Sequence, residues 1–308
     1  MDSAILTAVL GSAATVMIPV LWASYGEAIG EEAGILNIGV EGVMLVGAFG
    51  AAFGLQHTGS LSIAALMAIP SGLICALVLG YLYINRGTNQ IVTGILFNLL
   101  ALGATTALYE QYLTGAGLIN TFTPIPLPVL SNIPILGPSI FTQAIPTYAA
   151  FLAAPVVYYL LRHTWFGLYL RILGERPDAG ESSGLNVQGL RWAAFAIGCV
   201  LVAFGGASLV LVQTGGFVAD ITSGQGFIAL AVVILCRWNP LWIVAGAALF
   251  GLADALQFQM QTVSQLSSVP RDVWLAVPYV VTIVAVAVAR RSQYPAACGV
   301  PYVSGAEA

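Results

Sequence analysis

The sequence predicts an all-α polytopic membrane protein that crosses the bilayer about nine times, within a range of roughly eight to ten. Two observations carry this. The 308 residues are 59% hydrophobic and only 7% charged, with a mean hydropathy of +0.92, whereas soluble domains carry about 25% charged residues. Long apolar runs also recur along the whole length, and a helical span needs roughly 20 mainly apolar residues to cross a hydrocarbon core of about 30 Å. The chain reads as one transmembrane domain, 1–308, with no room for a sizeable soluble domain.

The first span is expected from about Ile5 to Tyr25, kinked at Pro19. No Arg or Lys precedes its apolar run, so it lacks the basic start of a signal peptide and reads as a retained span. Residues 26–42, GEAIGEEAGILNIGVEG, are punctuated by glycine and carry Glu27, Glu31, Glu32 and Glu41, which suits a break between helices. The second span follows from about Val43 to Leu55, with a start as early as Asn37 also open, and Gly50 and Gly54 give it a small-residue face for close packing. The third runs from about Leu61 to Ile84, kinked at Pro70. The fourth, from about Ile91 to Leu113, carries Asn98 near its middle.

Residues 114–146 are uncharged and contain Pro124, Pro126, Pro128, Pro134, Pro138 and Pro146, a composition that reads as an ordered external loop on the helix ends. Further spans are expected at about Tyr148–Leu161 and Trp192–Val212. Residues 227–236, FIALAVVILC, are too short to cross alone, and Trp238-Asn239-Pro240 breaks the helix before Leu241. The stretch near 226–240 is therefore a short tilted span or one arm of a re-entrant hairpin. The last spans are expected at about Leu241–Leu256 and Val273–Ala289, followed by a loosely ordered tail.

The nine basic residues are all arginine. If the spans alternate, eight of them fall on one side and only Arg271 on the other, which by the positive-inside rule gives an outside N-terminus and a cytoplasmic C-terminus. A re-entrant 226–240 leaves that parity unchanged. Cys75, Cys199, Cys236 and Cys298 are scattered singly and read as structural thiols, and His57 and His163 stand apart from other ligand types, so no metal site is expected. No basic, aromatic-interleaved patch points to nucleic acid.

Charge concentrates in 162–191, RHTWFGLYLRILGERPDAGESSGLNVQGLR, which falls on the cytoplasmic side. Pro177 suits the first position of a short helix, Asp178 and Glu181 suit its positive end, and Gly184 suits its stop. Arg171, Arg176 and Arg191 flank it and would pair with an acidic groove or with lipid phosphates. On these features alone, a docking helix and a solvated hairpin both remain open.

Three stretches, GILNIGVEGVMLVGAFGA (34–51), GLYLRILGERPDAGESSGLNV (167–187) and GGFVADITSGQGFIALAVVILCRWNPLWIVAGAALFGLADALQ (215–257), resemble the permease subunits of bacterial ABC importers for nucleosides. The broader group includes ribose and simple-sugar permeases. The resemblance covers nearly the whole chain. It implies a subunit of the bacterial inner membrane that pairs with a second permease subunit, an ABC ATPase and an extracytoplasmic substrate-binding lipoprotein. It also implies that Pro177–Gly184 is the coupling helix that docks on the ATPase, with Arg171, Arg176, Pro177, Asp178, Glu181 and Gly184 as its residues. The chain has no GxxxxGK[ST] phosphate loop and no lysine, so ATP hydrolysis is expected on a partner and no cofactor on this chain.

Polar groups inside apolar segments are candidate pathway residues, because exposing them to lipid is costly. These are Asn37 and Glu41 at the break and Asn98 in the fourth span; Phe217 and Phe227 could stack a base, though aromatic residues in membrane proteins more often pack or mark an interface. Helix-to-helix hydrogen bonding is the competing role for both asparagines. Glu41 reads as a hydrogen-bond hub, since a neutral nucleoside offers it no cation. In the rival class, an ion-coupled transporter or channel, Glu41 and Asp254 would be the ion sites. An intramembrane enzyme finds no nucleophile-base set.

Overall fold

A computed structural model describes residues 3–114, 121–260, 273, 276–288 and 294–302. Arg271, Arg290 and Arg291 lie outside the described residues, as does part of the expected last span. Among the described residues, six helices are long and apolar enough to cross a membrane: Leu6–Glu32, Leu61–Asn85, Gln90–Tyr112, Ile145–His163, Val187–Thr214 and Pro240–Gln257.

Helix α1 (Ser3–Glu32) carries Pro19 inside it and continues a full two turns beyond the expected end at Tyr25. The break is correspondingly later and shorter. The helix can continue because each acidic side chain of its last turns finds a partner, described below. It stops at Gly34, whose φ of +82° turns the chain back. Residues 35–39 are irregular and α2 (Val40–Thr58) follows, buried along most of its length. The third span is built from α3 (Leu61–Leu66), α4 (Ala68–Gly80) and a terminal π turn at Tyr81–Asn85. α5 (Gln90–Tyr112) is capped by the Asn89 side chain, which accepts the amides of Ile91 and Val92 at 3.0 and 3.1 Å.

The proline-rich stretch is ordered where it is described. It forms the chain's one strand pair among the described residues, β1 (Ile125–Pro126) antiparallel to β2 (Thr142–Gln143), around a short helix α6 (Leu136–Ile140). Gln143 Nε2 donates to Ser139 O at 2.7 Å, and Thr15 of α1 donates to Gln143 Oε1 at 3.0 Å. This lobe thus covers the end of α1 that carries its N-terminus. At the opposite end, α7 (Ile145–His163) is followed by α8 (Trp165–Glu175), α9 (Pro177–Ser182) and α10 (Val187–Ser208). A π turn at Leu209–Thr214 and irregular residues 215–224 lead to α11 (Gln225–Leu235), then α12 (Pro240–Met260) and α13 (Val277–Val288).

The centre is α1, α2 and α10, with Leu21, Tyr25, Met44, Leu45 and Phe195 fully enclosed. Lipid is as apolar as leucine, so close packing rather than water exclusion holds such helices together. Gly26 and Gly198 let α1 and α10 meet backbone to backbone: a Cβ on Gly198 would lie 2.7 Å from Gly26 O. Gly54 of α2 packs likewise on Met67 and Ala64. Outward faces of α4 and α5, with Leu73, Leu77, Leu96 and Leu100 exposed, match a hydrocarbon surround.

Candidate functional site

Two discontinuous segments meet inside the bundle. α2 starts after the irregular 35–39, and α11 starts after the irregular 215–224, so each exposes first-turn amides where no water is available. A carboxylate carried by α2 answers the start of α11. Glu41, in the first turn of α2 and only 6% exposed, accepts Gly226 N at 2.7 Å through Oε2. Its Oε1 accepts Gly224 N at 2.8 Å and the hydroxyl of Thr222. The positive end of α11 thus meets an acidic side chain held in the first turn of α2.

The backbone of 35–39 is satisfied by side chains of α1 and α5. Leu36 N donates to Gln90 Oε1 at 2.7 Å, and Asn37 N donates to Glu27 Oε1 at 2.9 Å. Asn37 Oδ1 accepts Gly39 N at 3.1 Å. Asn98 holds both sides of the α2 start, with Nδ2 donating to Ile38 O at 2.9 Å and Oδ1 accepting Gly42 N at 2.8 Å. Gly94 brings α5 against this stretch, and a Cβ there would lie 2.7 Å from Gly39 N. Asn37, Glu41 and Asn98 are therefore one connected polar core around the break.

Phe217 is buried between Phe49 and Tyr109, at centroid distances of 5.8 and 5.5 Å. It forms, with Phe53, His57 and Tyr112, an aromatic cluster where α2 and α5 end. Phe227 does not join either group; it is 49% exposed on the outside of α11. Asp254 lies half-buried on α12.

The arginines among the described residues gather at one end of the bundle. Arg86 and Arg191 line one cleft of about 560 Å³, and Arg162, Arg171 and Arg237 line another of about 250 Å³. A third, of about 650 Å³, runs between Arg176–Ala179 and the tail. Arg162 pairs with Glu32 at 3.3 Å. Pro177 opens α9, Asp178 occupies its first turn, and Gly184 ends the unit with φ +82°. Asp178, Glu181 and Gly184 are exposed, while Pro177 is buried.

Sequence reasoning missed Gln90, Thr222, Gly224 and the tail. Gln90 gave a signal as a polar residue opening a span. The tail, expected to be loose, is packed over Tyr294–Tyr302: Tyr294 Oη donates to Glu31 Oε1 at 3.1 Å, Ala297 N donates to Gly174 O at 2.8 Å, and Tyr302 Oη donates to Glu181. Trp238 Nε1 donates to the other oxygen of Glu31. Burial, then the bond to Glu181, pushes the Tyr302 phenol up to about 12, so it stays a donor at neutral pH.

The chain is similar to the nucleoside ABC transporter permease protein NupC of Lactococcus lactis subsp. cremoris, 33% identical over 92% of this chain and 93% of the relative. It is 36% identical to the putative glucose ABC transporter permease protein TsgC13 of Haloferax volcanii, over 82% of this chain and 76% of that protein. It is 32% identical to the guanosine ABC transporter permease protein NupQ of Bacillus subtilis, over 93% of both. No solved structure matches. The family described as branched-chain amino acid transport system, permease component, matches residues 9–286, and this multi-pass membrane protein belongs to it.

Proposed function

We propose that the chain is the membrane-spanning permease subunit of an ABC importer that moves nucleosides inward, powered by ATP hydrolysis on a partner chain. The observation that carries this is the meeting of two broken segments at Glu41. Non-helical backbone at membrane depth is tolerated where it is buried in protein or lines a path, and such breaks are where transporters bind and move their cargo. Asn37, Glu41 and Asn98 hold the break; Phe217 is packed between Phe49 and Tyr109 and would need those rings to part before it could meet a base, and Phe227 faces lipid or the second permease subunit. Glu41 is engaged by Thr222, Gly224 N and Gly226 N, which suits a joint between the two segments.

In this reading the chain crosses about nine times: the six long helices, the two broken segments 33–58 and 215–235, and α13. The arginine end is cytoplasmic by the positive-inside rule, the N-terminus and 114–146 lie outside, and 162–191 is the cytoplasmic coupling loop. α9 docks on the ABC ATPase, a second permease subunit completes the path, and a substrate-binding lipoprotein delivers cargo from outside. Nucleoside cargo follows the names of two relatives that align over nearly the full chain. A simple sugar is the second reading, favoured by the putative glucose permease at 36% identity.

Uptake of radiolabelled nucleosides into vesicles holding the co-purified complex tests the proposal. ATP-dependent uptake, competed by nucleosides and not by hexoses, is expected. Uptake by this chain alone, driven by an ion gradient, would overturn it.

A further inference from the structure

The tail segment 294–302 touches the elements on which the transport reading depends. Its first residue reaches α1: Tyr294 bonds Glu31 at 3.1 Å, in the last turn before the break, and its ring stands edge-on to Trp238 at 4.8 Å. Trp238 follows α11 and shares the same carboxylate. The middle is pinned to the last turns of α8 through Ala297 N and Gly174 O. The last described residue reaches α9: Tyr302 bonds Glu181, and its ring lies 5.2 Å from the Arg191 guanidinium carbon at the start of α10.

Between these anchors the segment is stiff. Pro295 and Pro301 fix their own φ, and turns close from Cys298 N to Pro295 O at 2.9 Å and from Val300 N to Ala297 O at 3.2 Å. α9 is otherwise lightly held, because only Pro177 and Gly180 of its six residues are buried. Arg191 is 3% exposed, its Nε and Nη2 have no hydrogen-bond acceptor among the described residues, and the Tyr302 ring face meets this cation alongside the charge of Asp178.

We propose that Tyr294 and Tyr302 are positioning residues, and that the tail is a tie transmitting displacement of α9 to the ends of both broken segments. A helix that moves when the ATPase moves needs a rigid connection to the elements that change, or the motion is lost in its own loop. Glu31 precedes the 35–39 break, and Trp238 ends the α11 segment, so the tie reaches both. This inference rests on the reading of the chain as an ATP-driven permease with α9 as its docking helix.

The test uses the complete reconstituted complex and the ratio of nucleoside imported to ATP hydrolysed, with co-purification of the ATPase as the measure of assembly. Tyr302→Ala removes both the bond to Glu181 and the ring over Arg191. Its ratio should fall about fivefold or more while the ATPase still co-purifies. Tyr302→Phe keeps the ring and Tyr294→Phe removes one hydroxyl, so both should fall less. Unchanged ratios in all three, or transport and hydrolysis falling together at a constant ratio, would overturn the tie. Should Tyr302→Ala fail to assemble, the two phenylalanine variants decide, and parental ratios in both would overturn it. Failure of the underlying reading looks different: the parental complex would then import without ATP or lack the ATPase.

Discussion

Glu41 and Gly226 lie 2.7 Å apart, carboxylate oxygen to amide, across the joint between α2 and α11. With Gly224 N and the Thr222 hydroxyl on the other oxygen, the carboxylate accepts three donors in a buried setting. Glu41→Gln removes the charge and turns one acceptor into a donor facing a donor. The variant should lose about 2 kcal/mol, typical of a bond to a charged group, and import should fall with it. A thermal-unfolding midpoint in detergent equal to the parental one would remove Glu41 as the joint.

Asn98 supplies a donor to Ile38 O and an acceptor to Gly42 N. Asn98→Ala orphans both backbone groups, at about 1–3 kcal/mol for each buried group left unpaired. Asn98→Asp keeps the acceptor, loses the donor and adds a charge at the break, so it should be at least as damaging. Yield and unfolding midpoint of the two variants give the order directly. A substrate contact alone would spare stability in both.

The helical class was legible because composition and apolar run length are global properties that no local contact can reverse. The break was legible in kind, from glycines around Asn37 and Glu41, but its position was misjudged. GEAIGEE reads as polar in one dimension, yet Glu27, Glu31 and Glu32 are answered by Asn37 N, Trp238 and Tyr294, and Arg162, all distant in sequence except the first. Such partners are set by tertiary packing, which is also why the tail looked loose: small residues carry no periodic signal. Pro177 and Gly184 were legible because capping chemistry is local.

Gly94 and Gly103 sit on the same helix and should respond oppositely to alanine. At Gly94 the added Cβ would meet Gly39 N at 2.7 Å and Ile38 C at 2.9 Å, so the break must shift. Overpacking of this kind costs about 1–3 kcal/mol. At Gly103 nothing lies within 4 Å, and alanine gains about 0.5–1 kcal/mol in a helix interior. Paired unfolding midpoints should move down for Gly94→Ala and up or not at all for Gly103→Ala. Equal shifts would contradict the close approach of α5.

Glu32 and Arg162 are unequal partners in their 3.3 Å ion pair, with side chains 6% and 30% exposed. Arg162→Met strands a buried carboxylate, whereas Glu32→Gln leaves an arginine that still reaches water. The first should therefore destabilise more than the second, and the double variant should resemble Glu32→Gln. A double-mutant cycle should return a coupling of about 0.5–3 kcal/mol. Additive effects would mean that α1 and α7 are not held by this pair.

Asp178 is the best reporter of docking, because it is exposed in the first turn of α9, whereas Glu181 is engaged by Tyr302. In the assembled complex, Asp178→Cys should form a crosslink to the ATPase with a short bifunctional reagent. Its yield should change between nucleotide-free and ATP-trapped complexes as the ATPase moves the helix. A cysteine at Thr58, where α2 ends at the opposite side of the bundle from Arg86 and Arg191, should give none. Crosslinking from Thr58 and not from Asp178 would invert the proposed orientation, since it would place the arginine end outside. Crosslinking from neither position, nor from Glu181→Cys, would leave α9 undocked and withdraw the coupling role from Pro177–Gly184.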